Sequence, residues 1–218
     1  MNVVLFGSTG LIGSLALKNL LEDIRVHKVI TVTRNSSSLK HPKLINIVST
    51  FEDLNKDLFI KNGVQKIDGA LCALGTTIKK AKTNEAFRKV DYEYVLKSCD
   101  VAIELGAEHF AVISAEGANA QSSIFYSKTK GEMENGLIDK KIKSLFILRP
   151  GLLLGEREES RPMEKMFITI SPVLNRVLVG SLKQYRAIEA EKVAYFLTRT
   201  LFESNFGTRI IKNIDMLD

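Results

Sequence analysis

The feature that most restricts this chain is a junction near its start. The apolar run "NVVLF" at 2–6 passes directly into "GSTGLIG" at 7–13, which overlaps a stretch (11–22) with Leu11, Ile12, Leu15, Leu17, Leu20 and Leu21 at roughly helical spacing. A buried strand that hands over to a helix through Gly7, Gly10 and Gly13 can turn tightly and let its backbone approach a bound group. The first turn of a helix carries unpaired N–H groups and the positive end of the helix dipole, so it favours phosphate. Ser8 and Thr9 add hydroxyls beside it. Such a junction reads as a dinucleotide loop if the chain goes on alternating strand and helix.

The alternation continues. "KVITVT" (28–33) reads as a buried strand, "KLINIV" (43–48) as a third strand, and "EDLNKDLFIK" (52–61) as a short helix. "IDGALCAL" (67–74) is a fourth strand, and 83–105 is a long helical pattern with Thr83 or Asn84 as its N-cap. "HFAVIS" (109–114) is a fifth strand, a helix capped by Ser122 or Ser123 runs to about Asp139, and "SLFILR" (144–149) is a sixth strand. This order predicts a Rossmann-type, doubly wound parallel α/β sheet with helices on both faces. The 218 residues suit a single NAD(P)-binding domain, 1–218, in which 155–218 form a small C-terminal substrate or lid region.

The second strand bears on the choice of dinucleotide. An acid at its end would accept a hydrogen bond from the adenosine ribose and select NAD(H). Here the strand ends "TVTRN", with Arg34 at that place, Lys40 in the following loop and hydroxyls from Ser36, Ser37 and Ser38. A guanidinium matches a 2′-phosphate in charge and bidentate geometry, so NADP(H) is the expectation and NAD(H) the alternative.

Candidate chemistry lies further along. In "FYSKTKGE", Tyr126 and Lys130 stand four residues apart and share one helix face. A phenol titrates near 10 unless a neighbouring positive charge lowers it, and Lys130 can supply that charge. Ser114 closes the fifth strand, at the carboxyl edge where α/β sheets bind ligands.

With these pieces in order, the chain resembles the short-chain dehydrogenase/reductase superfamily, in its atypical, NAD(P)-binding epimerase/dehydratase-like branch. Within that branch it is similar to the Tat-interacting-protein group of small oxidoreductase-like proteins. The matching segments are "GSTGLIG", "TR" at 33–34, "CALGTTIKKA" at 72–81, "VDYEYVLK" at 90–97, "HFAVIS", "YSKTKGEME" at 126–134, "LRPGLLLG" at 148–155 and "EESRP" at 158–162. The resemblance implies that Gly7, Ser8, Thr9, Gly10, Leu11, Ile12 and Gly13 hold the pyrophosphate and Arg34 the adenosine-side phosphate. Ala73, Leu74 and Gly75 would pass over the adenine and its ribose, and Pro150 and Gly151 would lie near the carboxamide. Tyr126 and Lys130 would flank the nicotinamide ribose, and Ser114 would hold a substrate carbonyl. Two positions depart from the group's pattern: Ala115, where many relatives have a second small hydroxyl residue, and Thr50, where relatives often have an Asp near the adenine.

The expected function is an NADP(H)-dependent oxidoreductase acting on a small carbonyl or alcohol, with Ser114, Tyr126 and Lys130 as the catalytic set. An NADP(H)-binding regulator acting through protein partners is the alternative, and a nucleotide-sugar epimerase or dehydratase a second one. The residues after Gly155 are few for a subdomain enclosing a sugar nucleotide. His27, His41 and His109 are isolated from other ligand types, so no metal site is expected. The net charge of +6 is spread along the chain without a basic block, which gives no reason to expect nucleic acid. The stretch "RPMEKMFITISPVLNRVLVG" (161–180) reads as a core helix rather than an amphipathic lid or partner surface, and "MFITISPVLNRVLVGSL" (166–182) is too short and too interrupted to span a membrane. Cys72 and Cys99 read as reduced core thiols, and no basic leader precedes the first apolar run, so a cytoplasmic location is expected. A protein partner or a homodimer remains open.

Overall fold

The computed structural model describes residues 1–154, 184–204 and 206–217. The segments "EESRP" and 161–182 discussed above lie outside the described residues. In chain order the elements are β1 (Asn2–Phe6), α1 (Leu11–Glu22), β2 (Lys28–Thr33), β3 (Leu44–Val48), α2 (Lys56–Lys61) and β4 (Gly69–Cys72). Then come α3 (Ile78–Ala81), α4 (Asn84–Arg88), a π-helical turn (Lys89–Glu93), α5 (Tyr94–Glu104), β5 (His109–Ile113), α6 (Phe125–Asp139) and β6 (Ser144–Arg149). The remainder is β7 (Leu153–Leu154), β8 (Ile188–Glu189), α7 (Ala190–Arg199), β9 (Gly207–Lys212) and α8 (Asn213–Leu217).

The main sheet has seven parallel strands in the order β3-β2-β1-β4-β5-β6-β9. Strand direction of growth reverses between β1 and β4, the switch point at which open α/β sheets bind ligands beyond the strand ends. Alternation along the strands serves two cores. Val4, Phe6, Ile30, Val32, Cys72 and Phe110 face Val95, Cys99, Met133 and Leu137 on one side. Val3, Leu5, Val29, Leu71 and Ala111 face Ala16, Leu20, Val193, Ala194 and Leu197 on the other. Each fully buried Leu, Val or Phe contributes about 1.5–3 kcal/mol, so these two layers fix the sheet. Cys72 and Cys99 are free and buried.

Several elements differ from the sequence reading. The long helix is interrupted: Thr83 does cap it, accepting from the Ala86 N–H, but a π turn intervenes before α5. The next helix starts at Phe125, its Ile124 N-cap has no side-chain hydrogen bond, and Ser122 instead accepts from the Ile124 N–H. The seventh strand, β9, was not anticipated. Its residues are mostly exposed, and "GTRIIK" lacks the apolar continuity of the inner strands. Among the described residues no helix is long and apolar enough to cross a membrane.

At the opposite, amino-terminal edge of the strands, a cavity of about 350 Å³ is floored by His109 and Ser144. Thr200 Oγ1 donates to the Leu197 carbonyl, so it accepts from His109 Nε2, and Nδ1 is left to accept from the Ser144 hydroxyl. Burial pushes the imidazole down to about 4. The unfolded ring titrates near 6.5, so the stability carried by the neutral ring is full above that value and is lost as pH falls from there toward 4. Between pH 7.5 and pH 5, denaturant unfolding should show a loss on the order of 2 kcal/mol that His109→Gln abolishes. An equal loss in that variant would assign the acid sensitivity to other groups.

Candidate functional site

The crevice is built by the close approach of two strand ends. Gly7 has φ +81°, and a Cβ there would lie 2.6 Å from the Ala73 carbonyl carbon and 2.7 Å from the Leu74 nitrogen. A Cβ on Gly13 would lie 2.0 Å from the Gly7 oxygen. Both glycines therefore pack the loop against itself and against the end of β4. Gly10 is different: its N–H donates to the Gly7 carbonyl at 3.0 Å, and a Cβ would meet only Gly7 O at 3.5 Å and Ala73 O at 4.0 Å. Gly10 is also the N-cap of α1 and offers no side-chain cap. The first-turn N–H groups of Leu11, Ile12 and Gly13 have no acceptor among the described residues. Thr9 and Gly10 are exposed, Ser8 is buried, and Gly75 lies on the surface beyond Ala73 and Leu74. An open, uncapped helix end beneath an exposed glycine is a cradle that fits a pyrophosphate.

Arg34 lies just beyond β2, exposed and with no hydrogen bond or ion pair among the described residues. Beside it, Thr33 Oγ1 lies within hydrogen-bond reach of Asn35 O at 2.7 Å and Asn46 Oδ1 at 3.0 Å. Thr50 donates to Asp53 Oδ2 at 2.6 Å, so an acid stands three residues along from the place where the group often has one. Lys79 and Lys80 are exposed on α3, and Lys82 follows them with φ 70°.

Tyr126 and Lys130 on α6 meet two residues that are also four apart. The Phe87 ring on α4 lies 5.6 Å from the Tyr126 ring, and Asp91 in the π turn pairs with Lys130 Nζ at 2.7 Å. Lys130 and Asp91 are only 4% and 1% exposed. The other Asp91 oxygen accepts from the Thr76 N–H at 2.8 Å, which ties the loop after β4 to the same ion pair. Burial pushes the Tyr126 phenol upward; Lys130 opposes this and Asp91 adds to it, and the net shift is upward. Burial pulls the Lys130 ammonium down, but Asp91 and the other groups around it raise it further, so it stays charged. The lysine's charge is thus answered by a carboxylate rather than left to the phenol.

One turn further on the same face, Glu134 is 3% exposed. It forms a two-point ion pair with Arg149 and accepts from the Ser114 hydroxyl. Ser114 is buried just past the end of β5, and its single hydroxyl proton is directed at Glu134. Hydrogen bonding to Glu134 raises the Arg149 guanidinium above its ordinary value, against burial. The buried Pro150 accepts from the Glu116 N–H at 2.8 Å. The Gly151 N–H donates to Asn213 Oδ1 at 2.8 Å, while Asn213 Nδ2 donates to the Arg186 carbonyl at 2.8 Å. The backbone at Pro150 and Gly151 is therefore clamped between the loop after β5 and the start of α8.

Several residues of the site escaped the sequence reading. Asp91 sits on the buried stripe Phe87–Asp91–Val95, and an acid in such a stripe is the signal that was available. Glu134 continues the four-residue spacing of Tyr126 and Lys130. Gly131 lets the loop before α6 press onto that helix, since a Cβ would lie 2.1 Å from the Ala120 nitrogen. Asn213 gave no signal at all, because its partners are brought to it only by β9. Among the described residues no cluster of His, Cys, Asp or Glu could hold a metal ion.

A family model described as HIM1 matches residues 29–186. The chain is 35% identical over 198 residues to "Protein FMP52, mitochondrial" of Meyerozyma guilliermondii, covering 90% of this chain and 84% of that protein. It is 35% identical over 163 residues to "Protein HTATIP2" of Rattus norvegicus, covering 75% and 67%. Among solved structures, "MoeE5 in complex with UDP-glucose and NAD" superposes with a TM-score of 0.70 at 16% identity, over 100% of this chain and 80% of that one, a likeness of fold. The resemblance to the Tat-interacting-protein group is borne out by the HTATIP2 relative, and the Rossmann-type fold by the superposition. The cytoplasmic expectation is overturned, because FMP52 relatives carry mitochondrial names. That expectation rested on Cys72 and Cys99 read as reduced core thiols, and a buried thiol is inert in any compartment.

The contrast among the glycines gives a direct test. Gly10→Val adds its side chain where there is room in the fold but over the cradle. Thermal unfolding should stay close to that of the unmodified protein, while dinucleotide binding by calorimetry should be lost. Unaltered binding would show that phosphate is held elsewhere.

Proposed function

The chain belongs to the HIM1 family, and we propose that it is an NADP(H)-dependent oxidoreductase that reduces a carbonyl on a small-molecule substrate. The observation that carries this reading is the Tyr126–Lys130 pair on α6, joined through Asp91 to the loop after β4. The first-turn N–H groups of α1 would take the pyrophosphate, and Tyr126 and Lys130 would flank the nicotinamide ribose. Arg34 supports NADP(H) over NAD(H), since an exposed guanidinium without a protein partner suits a 2′-phosphate. The NAD in the MoeE5 structure belongs to that protein.

When bound, the reduced nicotinamide supplies a hydride. Tyr126 gives its phenolic proton to the carbonyl oxygen as the carbonyl carbon gains that hydride, leaving an alcohol and a tyrosinate that regains a proton from water. Lys130, held by Asp91, offsets part of what burial costs the tyrosinate. For Ser114 to orient the carbonyl, its hydroxyl must turn away from Glu134. A second reading, a dinucleotide-binding regulator that works through a protein partner, is favoured by that commitment of Ser114. We infer a mitochondrial location from the names of the fungal relatives.

Calorimetry should show tighter binding of NADPH than of NADH, with most of the difference erased in Arg34→Ala. Equal affinities in the unmodified protein would refute the assignment of Arg34. In a carbonyl screen followed by NADPH absorbance, Tyr126→Phe should keep cofactor binding and lose about 10²–10⁴-fold in turnover. Near-normal turnover in that variant would remove Tyr126 from the chemistry.

A further inference from the structure

The Asp91–Lys130 contact has no counterpart in the roles assigned from the sequence. Asp91 comes from the π turn, where the backbone widens between Phe87 and Val95 while the helix axis continues into α5. Two charges this deeply buried survive only as a close pair with their remaining bonding capacity used. Here one carboxylate oxygen takes the ammonium at 2.7 Å and the other takes the Thr76 N–H at 2.8 Å. Gly75, next to Thr76, would bring a Cβ within 3.4 Å of Asp91 Oδ1, so the loop is also packed against the carboxylate.

We propose that Asp91 is a positioning residue that holds Lys130 in a neutral buried pair, so that Tyr126 keeps its proton and the site is built to give a proton to a carbonyl oxygen rather than take one from an alcohol. The groups that act on Tyr126 are few. Lys130 lies on its own helix and Asp91 faces it from the π turn. Cys72 at the end of β4 acts on Lys130, and burial keeps that thiol neutral by pushing it up to about 12. Phe87 closes the remaining side with an apolar ring, and its neighbour Arg88 is itself paired with Glu132. An unpaired ammonium four residues from a phenol would stabilise tyrosinate and suit alcohol oxidation. With Asp91 in place, the charge next to the phenol sums to zero.

The catalytic consequence rests on the reductase reading, whereas the ionisation of Tyr126 does not, and it can be measured without a substrate. Tyrosinate absorbance is followed against pH in the unmodified protein and in Tyr126→Phe, and the difference isolates Tyr126 from the other four tyrosines. The proposal expects the Tyr126 component to titrate above the ordinary tyrosine range near 10. A component below that range overturns it. Asp91→Asn keeps an acceptor for Thr76 and removes the charge, so the Tyr126 component should move to lower pH. The double variant Asp91→Asn with Lys130→Met carries no unpaired buried charge and should titrate with the unmodified protein. A midpoint that is unmoved or raised in Asp91→Asn, or lowered in the double variant, overturns the proposal. If Asp91→Asn does not fold, the double variant still decides, since a midpoint moved from that of the unmodified protein in either direction overturns the proposal. Failure of the carbonyl screen together with the expected titration would reject the reductase reading and leave the role of Asp91 standing.

Discussion

The approach of Gly7 to Ala73 governs where a site can form in this molecule. β1 and β4 are neighbours in register, Phe6 beside Cys72, and the chain must leave β1 across the end of β4 to start α1. A side chain at Gly7 would overlap the Ala73 backbone, and one at Gly13 would overlap Gly7 itself. Only with both positions bare does α1 start low enough to leave its amino end open above the switch point. The sheet order then does the rest, since β2 and β3 extend to one side and β5, β6 and β9 to the other. The crevice therefore opens where the two halves part.

From that crevice, α6 carries a row of polar groups at four-residue spacing, each with its own clamp. Tyr126 rests on Phe87, Lys130 on Asp91, and Glu134 on Arg149 and Ser114. Removing one partner of a buried pair costs about 3–5 kcal/mol, so such pairs hold their geometry firmly. They also connect elements far apart in sequence. Asp91 brings in the loop after β4, Arg149 brings in the end of β6, and Asn213 fastens the next turn of chain to α8. The carboxyl edge of the sheet is thereby tied together across these elements.

The elements legible in the sequence were those written in continuous apolar runs. The first six strands, the glycine junction and the helix carrying Tyr126 and Lys130 all follow from local pattern, because burial of the five inner strands on both faces leaves β-branched and aliphatic residues little alternative. Partners that act over distance were not legible. Asp91 looks like one more charge on a long helix until Lys130 meets it, and Glu134 like a solvated acid until Arg149 meets it. The edge strand β9 pairs along its length with β6 but exposes most of its side chains, which leaves a mixed pattern. The role of Ser114 was read from its place at a strand end, and only the structure shows where its proton points.

The central claim is that the carboxyl edge is a nicotinamide dinucleotide site organised from α1 to α6. A crystal structure of the protein grown with NADP⁺ tests it most directly. The account predicts the pyrophosphate on the N–H groups at the start of α1, the 2′-phosphate against Arg34 and the nicotinamide ribose beside Tyr126 and Lys130. Crystals grown at saturating dinucleotide with that crevice empty, or with the ligand seated at another edge of the sheet, would contradict it.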